Sequence, residues 1–290
     1  MTPKTLSTST LTTATATLTY ASAWRQVAAA LLPGRHAYLI WQMAKRDILG
    51  KYKGSVLGIG WSLLYPLLLL ATYTFVFRLI FKARWPGMDD HPGTFALNIF
   101  AGLLLFNLFS EVVARAPRLV LEQPNLVKRV IFPLEVLPWV GIAGALFHAI
   151  LSLGVLLAGV LLMQGALPLS ALTAPLILLT LLPMLLCLGW LLAGFGVFLR
   201  DIGQMVAPVL NVMLFLTPIL YPASALPPKI QAWLVLNPLT LPIESLRAAL
   251  LLGQWPAWGS LLLYAMVWTA LAGLAALAFA RLRPSFADQL

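Results

Sequence analysis

The sequence predicts an all-α integral membrane protein, with six transmembrane helices, an N-terminal amphipathic helix at the membrane interface and re-entrant helices between spans five and six. Three observations lead there. Only 10% of the residues are charged and 61% are hydrophobic, where a soluble domain carries about 25% charged residues. The mean hydropathy is +0.91. Apolar segments recur at or above the ~20 residues that a helix needs to cross a bilayer. Six spans in 290 residues leave no room for a sizeable soluble catalytic domain, which places any such domain on another chain.

Residues 1–32 open on a Thr/Ser/Ala tract without the continuous apolar core of a signal peptide. They read as a disordered cytosolic leader. Residues 33–55 form the interface helix. At 100° per residue Tyr38, Trp41, Ile48, Leu49 and Tyr52 share one side, with His36, Arg46, Asp47 and Lys51 opposite. Leu39, Ile40 and Met43 interrupt that pattern. Residues 56–290 hold the six-span domain, its apolar segments near 56–81, 94–114, 136–162, 170–198, 203–222 and 258–280. Two connections are unusual. Residues 117–133, PRLVLEQPNLVKRVIFP, mix apolar residues with cations between prolines and suit short helices on the inner surface. Residues 222–256 are apolar, but prolines at 227, 228, 238 and 242 deny them one continuous span. A pair of short helices dipping into the membrane fits, provided protein or a water-filled cavity covers their irregular backbone.

An even span count puts both termini on one side. If that side is cytosolic, fourteen of the 19 Lys and Arg residues face inward, leaving Arg78, Lys82, Arg84, Lys229 and Arg247 outside. Lys/Arg-rich loops stay inside. Trp41, Trp61 and Trp139 then lie near inner span ends and Trp85, Trp255 and Trp258 near outer ones, as an interfacial belt requires. The net charge of +10 accordingly reports orientation and contact with anionic lipid, not nucleic acid.

Several chemistries are excluded. GKYKGS, Gly50 to Ser55, lacks the first glycine and the Lys-Ser/Thr pair of a phosphate-cradling loop, so this chain does not hydrolyse ATP by itself. Cys187 is the single cysteine, and His36, His91 and His148 fall in three compartments, which leaves no metal site. His148, inside span three, is either a hydrogen-bonded packing residue or a pore residue. Glu111 and Glu135 stand at inner span ends, and Glu244 precedes Arg247 by the three residues of a helical ion pair. A proton relay needs more mid-membrane acids than these. Gly50, Gly54 and Gly58 recur every four residues, which allows a close backbone approach or a hinge.

Arg46, Asp47, Lys51, Tyr52, Lys53, Ser55, Leu57, Gly58, Trp61 and Pro66 together resemble the signature of ABC exporter permeases that move lipid-linked polysaccharides. FAGLLLFNLFSEVV, NLVKRVIFPLEVLP, FLRDIGQMVAPVLNVMLFLTPILYP and LNPLTLPIESLRAALL are similar to that family's segments in order and spacing, from about residue 36 to the C-terminus. The resemblance implies a channel-forming subunit of an ATP-driven exporter of lipid-linked polysaccharide, O-antigen first, with teichoic acid or capsular polysaccharide as alternatives. It implies a bacterial inner-membrane homodimer with two copies of a separate ATP-binding cassette subunit. ATP and Mg belong to that partner, and this chain carries no cofactor. In the family the segment between spans two and three couples to the ATPase, which brings forward Leu119, Leu121, Leu126, Lys128 and Arg129, and the helix before span one serves as a gate.

A long polymer has to thread and slip, and aromatic faces pack on sugar C–H faces without fixing one hydrogen-bond pattern. Trp61, Tyr65 and Phe75 fall within about 80° on span one; with Phe215 and Tyr221 of span five they are the expected channel lining, or else lipid-facing or packing aromatics. Arg46, Lys51 and Lys53 are placed to meet a polyprenyl pyrophosphate, or equally bulk anionic lipid. Two other classes compete. A membrane-embedded transferase acting on lipid-linked sugars would need paired catalytic acids, which are missing, and an exporter of small drugs would differ in pore width and lining.

The charge distribution makes the topology testable. With Cys187 replaced by Ala, cysteines placed at Asp89 and at Asn125 are expected to react with an impermeant thiol reagent from opposite faces of intact cells. Labelling from the same face would overturn the six-span arrangement.

Overall fold

The computed structural model describes residues 30–80, 85, 93–127, 132–234, 236–287 and 289. Residues 1–29 of the expected leader, and both Lys128 and Arg129, lie outside the described residues. Every regular element described is helical: α1 (Ala37–Tyr52), α2 (Trp61–Thr74), α3 (Thr94–Arg115), α4 (Leu137–Gln164), α5 (Ala174–Thr180), α6 (Leu182–Phe198), α7 (Ile202–Leu216), α8 (Pro228–Leu234), α9 (Thr240–Leu251) and α10 (Trp258–Leu282), with a single α-helical turn at Pro124–Val127 and short 3₁₀ and π turns between.

Among the described residues four segments are long and apolar enough to cross a membrane: Thr94–Arg118, Leu134–Gln164, Leu169–Phe198 and Trp258–Phe286. The first and fifth expected spans contain shorter apolar helices, Gly58–Thr74 and Ile202–Leu216. Local chemistry accounts for both. α2 passes into a π-helical turn over Phe75–Ile80. α7 has 15 residues, about 22 Å at 1.5 Å per residue, and ends where Thr217 turns extended ahead of Pro218. α5 and α6 are separated at Leu181 because Pro183 has no N–H for the carbonyl of Leu179. In the proline-interrupted run Pro228 opens α8 and Pro242 lies in the first turn of α9, positions where a missing N–H costs no helical bond.

α3 is the central helix, and nearly all of its residues from Thr94 to Val113 are buried. Its sequence is apolar all round, as a helix surrounded by others must be. Close approach elsewhere depends on glycine. A Cβ at Gly196 of α6 would stand 2.8 Å from the Cα of Pro117, in the chain leaving α3. Among the described residues Gly50, Gly54 and Gly58 have nothing within 4 Å of a Cβ position. Gly54 and Gly58 instead hold φ of +86° and +52° in the turn from α1 to α2, a left-handed region that disfavours other residues by about 1–2 kcal/mol.

The faces of α1 differ from the helical wheel. Ile40, Met43 and Ala44 are buried, whereas Tyr38, Trp41 and Leu49 are exposed. Residues that interrupted the amphipathic pattern therefore form the packing face. Two apolar faces are what a helix needs when it rests on protein and on lipid at once. Trp85 is likewise not an exposed belt residue: it is 8% exposed and lies under the Arg247 guanidinium, 4.7 Å from carbon to ring centroid.

Arg247 of α9 is 2% exposed. Its Nε donates to the carbonyl of Asn98 at 3.0 Å, Nη1 to those of Pro218 at 2.7 Å and the Glu244 carboxylate at 3.1 Å, and Nη2 to Ile219 at 2.7 Å. The expected Glu244–Arg247 pair is thus one contact of a larger clamp joining α9, α3 and the chain after α7. Gly102 makes room for it, since a Cβ there would meet Nη2 at 3.0 Å and Ile219 Cα at 3.3 Å. At the other end of the bundle Arg283 donates to Glu135 at 3.0 Å and to the Phe132 carbonyl at 2.8 Å, tying the end of α10 to the chain that opens α4.

Arg247→Met should orphan two buried carbonyls outside any helix, those of Pro218 and Ile219, at about 1–3 kcal/mol each. The expected result is a sharp fall in the detergent melting temperature, with Arg247→Lys intermediate. A melting temperature unchanged in both variants would remove the clamp role.

Candidate functional site

Where α2 begins and α3 ends, four helices enclose a cavity of about 410 Å³. α1 contributes Lys51 and Tyr52; α2 contributes Trp61, Ser62, Tyr65, Pro66 and Leu69. Phe100, Leu104, Asn107, Leu108, Ser110 and Glu111 come from α3, and Ala145, His148, Ala149 and Ser152 from α4. Helical periodicity produces this lining. Asn107 and Glu111 are one turn apart on α3, as are His148 and Ser152 on α4, so polar groups from two apolar helices converge on one side. Trp61 and Tyr65 are also one turn apart and remain 45% and 60% exposed. Pro66 has no N–H for the carbonyl of Ser62, and both residues line the cavity.

The polar side is a connected network. His148 Nδ1 donates to Glu111 Oε2 at 2.9 Å, with Oε1 at 3.0 Å. An ionised carboxylate only accepts, so the proton is on Nδ1. His148 Nε2 lies 2.9 Å from the Tyr52 hydroxyl, which donates to it when the ring is neutral. Lys51 Nζ donates to Glu111 Oε1 at 3.2 Å. One turn away Arg115 pairs with Asp47 at 2.6 Å. α1 and α3 thus run antiparallel here, with alternating charges matched at four-residue spacing: Asp47 to Arg115 and Lys51 to Glu111. His148 is thus hydrogen-bonded on both ring nitrogens and also lines the cavity.

The expected site residues are distributed unevenly. Trp61, Tyr65 and Lys51 meet at this cavity. Phe75, at the start of the π turn, and Phe215 of α7 are exposed elsewhere. Tyr221 donates its hydroxyl to the carbonyl of Phe215 at 2.9 Å, a bond that secures the end of α7. Arg46 and Lys53 are exposed, while Lys51 is compensated by Glu111. In the segment after α3, Leu119 is buried at 6% exposure and Leu121 and Leu126 are half-buried. Leu119 therefore packs inward, with Gly141 of α4 opposite. Sequence reasoning missed Asn107, Ser110 and Ser152, because isolated small polar residues in apolar helices carry no signal until the helices are aligned. Among the described residues no group of three or more His, Cys, Asp or Glu side chains could hold a metal ion.

The sequence profile described as ABC-2 type transporter matches residues 38–251. The chain is 28% identical over 255 residues, 87% of its length and 95% of the relative, to the O-antigen export system permease protein RfbA of Myxococcus xanthus. It is 26% identical over 207 residues, 71% of its length and 77% of the relative, to the protein of that name in Klebsiella pneumoniae. A further Klebsiella pneumoniae protein so named is 26% identical over 215 residues.

The matched charges on α1 and α3 predict a swap. Asp47→Arg and Arg115→Asp should each loosen α1, and the double variant should restore it. Accessibility of a cysteine placed at Ala44, in a chain lacking Cys187, reports the docking. The half-exposed pair accounts for about 1 kcal/mol at most, so labelling in each single variant should rise no more than about fivefold. No recovery in the double variant would mean that the pair does not seat α1.

Proposed function

The chain belongs to the ABC-2 type transporter family, and from that premise we propose that it is the channel-forming membrane subunit of an ATP-driven exporter carrying lipid-linked polysaccharide, O-antigen, across the inner membrane. The observation that carries this reading is the likeness to an O-antigen export permease over 87% of the chain. The cavity supports it, because an open aromatic pair beside hydroxyl, amide and carboxylate groups suits carbohydrate, which combines apolar C–H faces with hydroxyl edges.

In this reading the chain crosses the membrane six times, α2 and α7 completing their spans with the adjoining π turn and the clamped segment around Pro218. α8 and α9 dip in from the outer face, and both termini are cytosolic. Residues 33–55 act as interface and gate helix ahead of the six-span domain. Two copies of the chain line the conduit with Trp61, Tyr65, Phe75, Phe215 and Tyr221, and two ATP-binding cassette subunits drive it. Exposed Arg46 and Lys53 meet the lipid pyrophosphate, and the half-exposed Lys51 ammonium reaches it from the cavity rim with its remaining N–H groups while staying on Glu111. Leu121 and Leu126, with Lys128 and Arg129, couple the chain to the ATPase, while buried Leu119 seats that segment on α4.

In a strain lacking the gene, surface polysaccharide is expected to disappear and to return with the wild-type copy. Trp61→Ala and Tyr65→Ala should each lower export about fivefold, from a stacking contact of about 1 kcal/mol, with protein abundance unchanged and the double variant lower still. Phe at both positions should restore most of it. Export that merely tracks membrane abundance would eliminate the lining role.

A further inference from the structure

The cavity's charge balance identifies its occupant more narrowly. Lys51 brings the one cation of the lining and Glu111 the one anion, and they are already paired. His148 gives its Nδ1 proton to the same carboxylate. An incoming phosphate would face Glu111 across a cation already in use, at the cost of like-charge repulsion. An acyl chain would strip water from Glu111, Asn107 and the serines without replacing any hydrogen bond. A neutral ring bearing several hydroxyls meets neither penalty.

Spare capacity is present for such a ligand. A carboxylate offers about four acceptor positions, and among the described residues Glu111 receives Lys51 and His148 alone. The Asn107 side-chain amide, the Trp61 indole N–H and the Tyr65 hydroxyl have no hydrogen-bond partner among the described residues. Ser110 and Ser152 donate to the carbonyls of Asn107 and His148, and their oxygens can still accept. The cavity, at about 410 Å³, falls within the usual range for small-ligand sites.

We propose that this cavity is a saccharide subsite within each subunit: a neutral sugar ring of the cargo rests on Trp61 and Tyr65, and its hydroxyls bind the Glu111 carboxylate and the Asn107 amide. His148 and Lys51 are positioning residues that hold the carboxylate. The subsite rests on the polysaccharide-export reading and adds to it a ligand class and a hydrogen-bonding floor on α3 and α4, away from the aromatic faces.

The experiment uses the full chain with its ATPase partner in cells that make the lipid-linked polymer, with benzoylphenylalanine placed at Tyr65, whose 60% exposure leaves room for the added benzoyl ring. Irradiation should give a carbohydrate-positive adduct that is absent from a strain unable to synthesise the polymer and from a control with the label at exposed Tyr38. Ser152→Leu, which fills the floor without touching an ion pair, should reduce the adduct about tenfold. Glu111→Gln should do the same, by the loss of a charged hydrogen bond of about 1.4 kcal/mol, and Asn107→Ala should reduce it several-fold. An adduct undiminished by both Ser152→Leu and Asn107→Ala would overturn the subsite while leaving export in place. A sugar-free lipid adduct, or none, would also overturn it. The export reading fails separately if surface polysaccharide persists in the strain lacking the gene.

Discussion

Backbone carbonyls buried in an apolar bundle must each find a donor, and this chain interrupts its helices where water is scarce. Helices satisfy themselves, but the stretch after α7 does not, because Thr217 and Pro218 break the ladder. Arg247 supplies the missing donors to Pro218 and Ile219 and reaches the Asn98 carbonyl on α3. Only a guanidinium offers five N–H groups in one plane. Its charge is offset by Glu244 and by the Trp85 ring. Asn237 extends the arrangement, donating to Thr217 Oγ1 at 2.9 Å while its Oδ1 accepts from the N–H of Leu239 at 3.0 Å. α9 is thereby fastened to the end of α7, and irregular backbone is tolerated between them.

The opposite end follows the same logic with side chains. Glu111 is one carboxylate shared by α1, through Lys51, and by α4, through His148. Tyr52 completes the circuit back to α1. A displacement of α1 would therefore change the hydrogen bonding of both α3 and α4. In the proposed exporter this is the helix that meets the lipid head group, so arrival of cargo and the shape of the cavity are linked through one carboxylate.

Much of the architecture was legible because the bilayer imposes a length and a polarity on each span. The long apolar segments of α3, α4, α5–α6 and α10 fall where hydropathy placed them, and prolines divided residues 222–256 into α8 and α9. α1 was legible as a helix but not in its orientation, because a periodicity count cannot distinguish a face toward lipid from a face toward protein. Trp85 was misplaced for the same reason: a tryptophan near a span end suits an interfacial belt and a cation-stacking pocket equally.

By itself, then, the sequence determined the membrane class, the positions of the four long apolar segments and the aromatic and basic residues around Lys51 and Trp61. These depend on local composition and spacing. Only the tertiary structure decided that His148 donates to the Glu111 carboxylate, that Lys51 is compensated, and that Arg247 serves three carbonyls from two distant segments. Each of those is a pairing across tens of residues, with Arg247 and Asn98 separated by 149 positions. Such a pairing depends on which helix faces come together, and that is set by packing of the whole bundle, not by the residues that end up in contact.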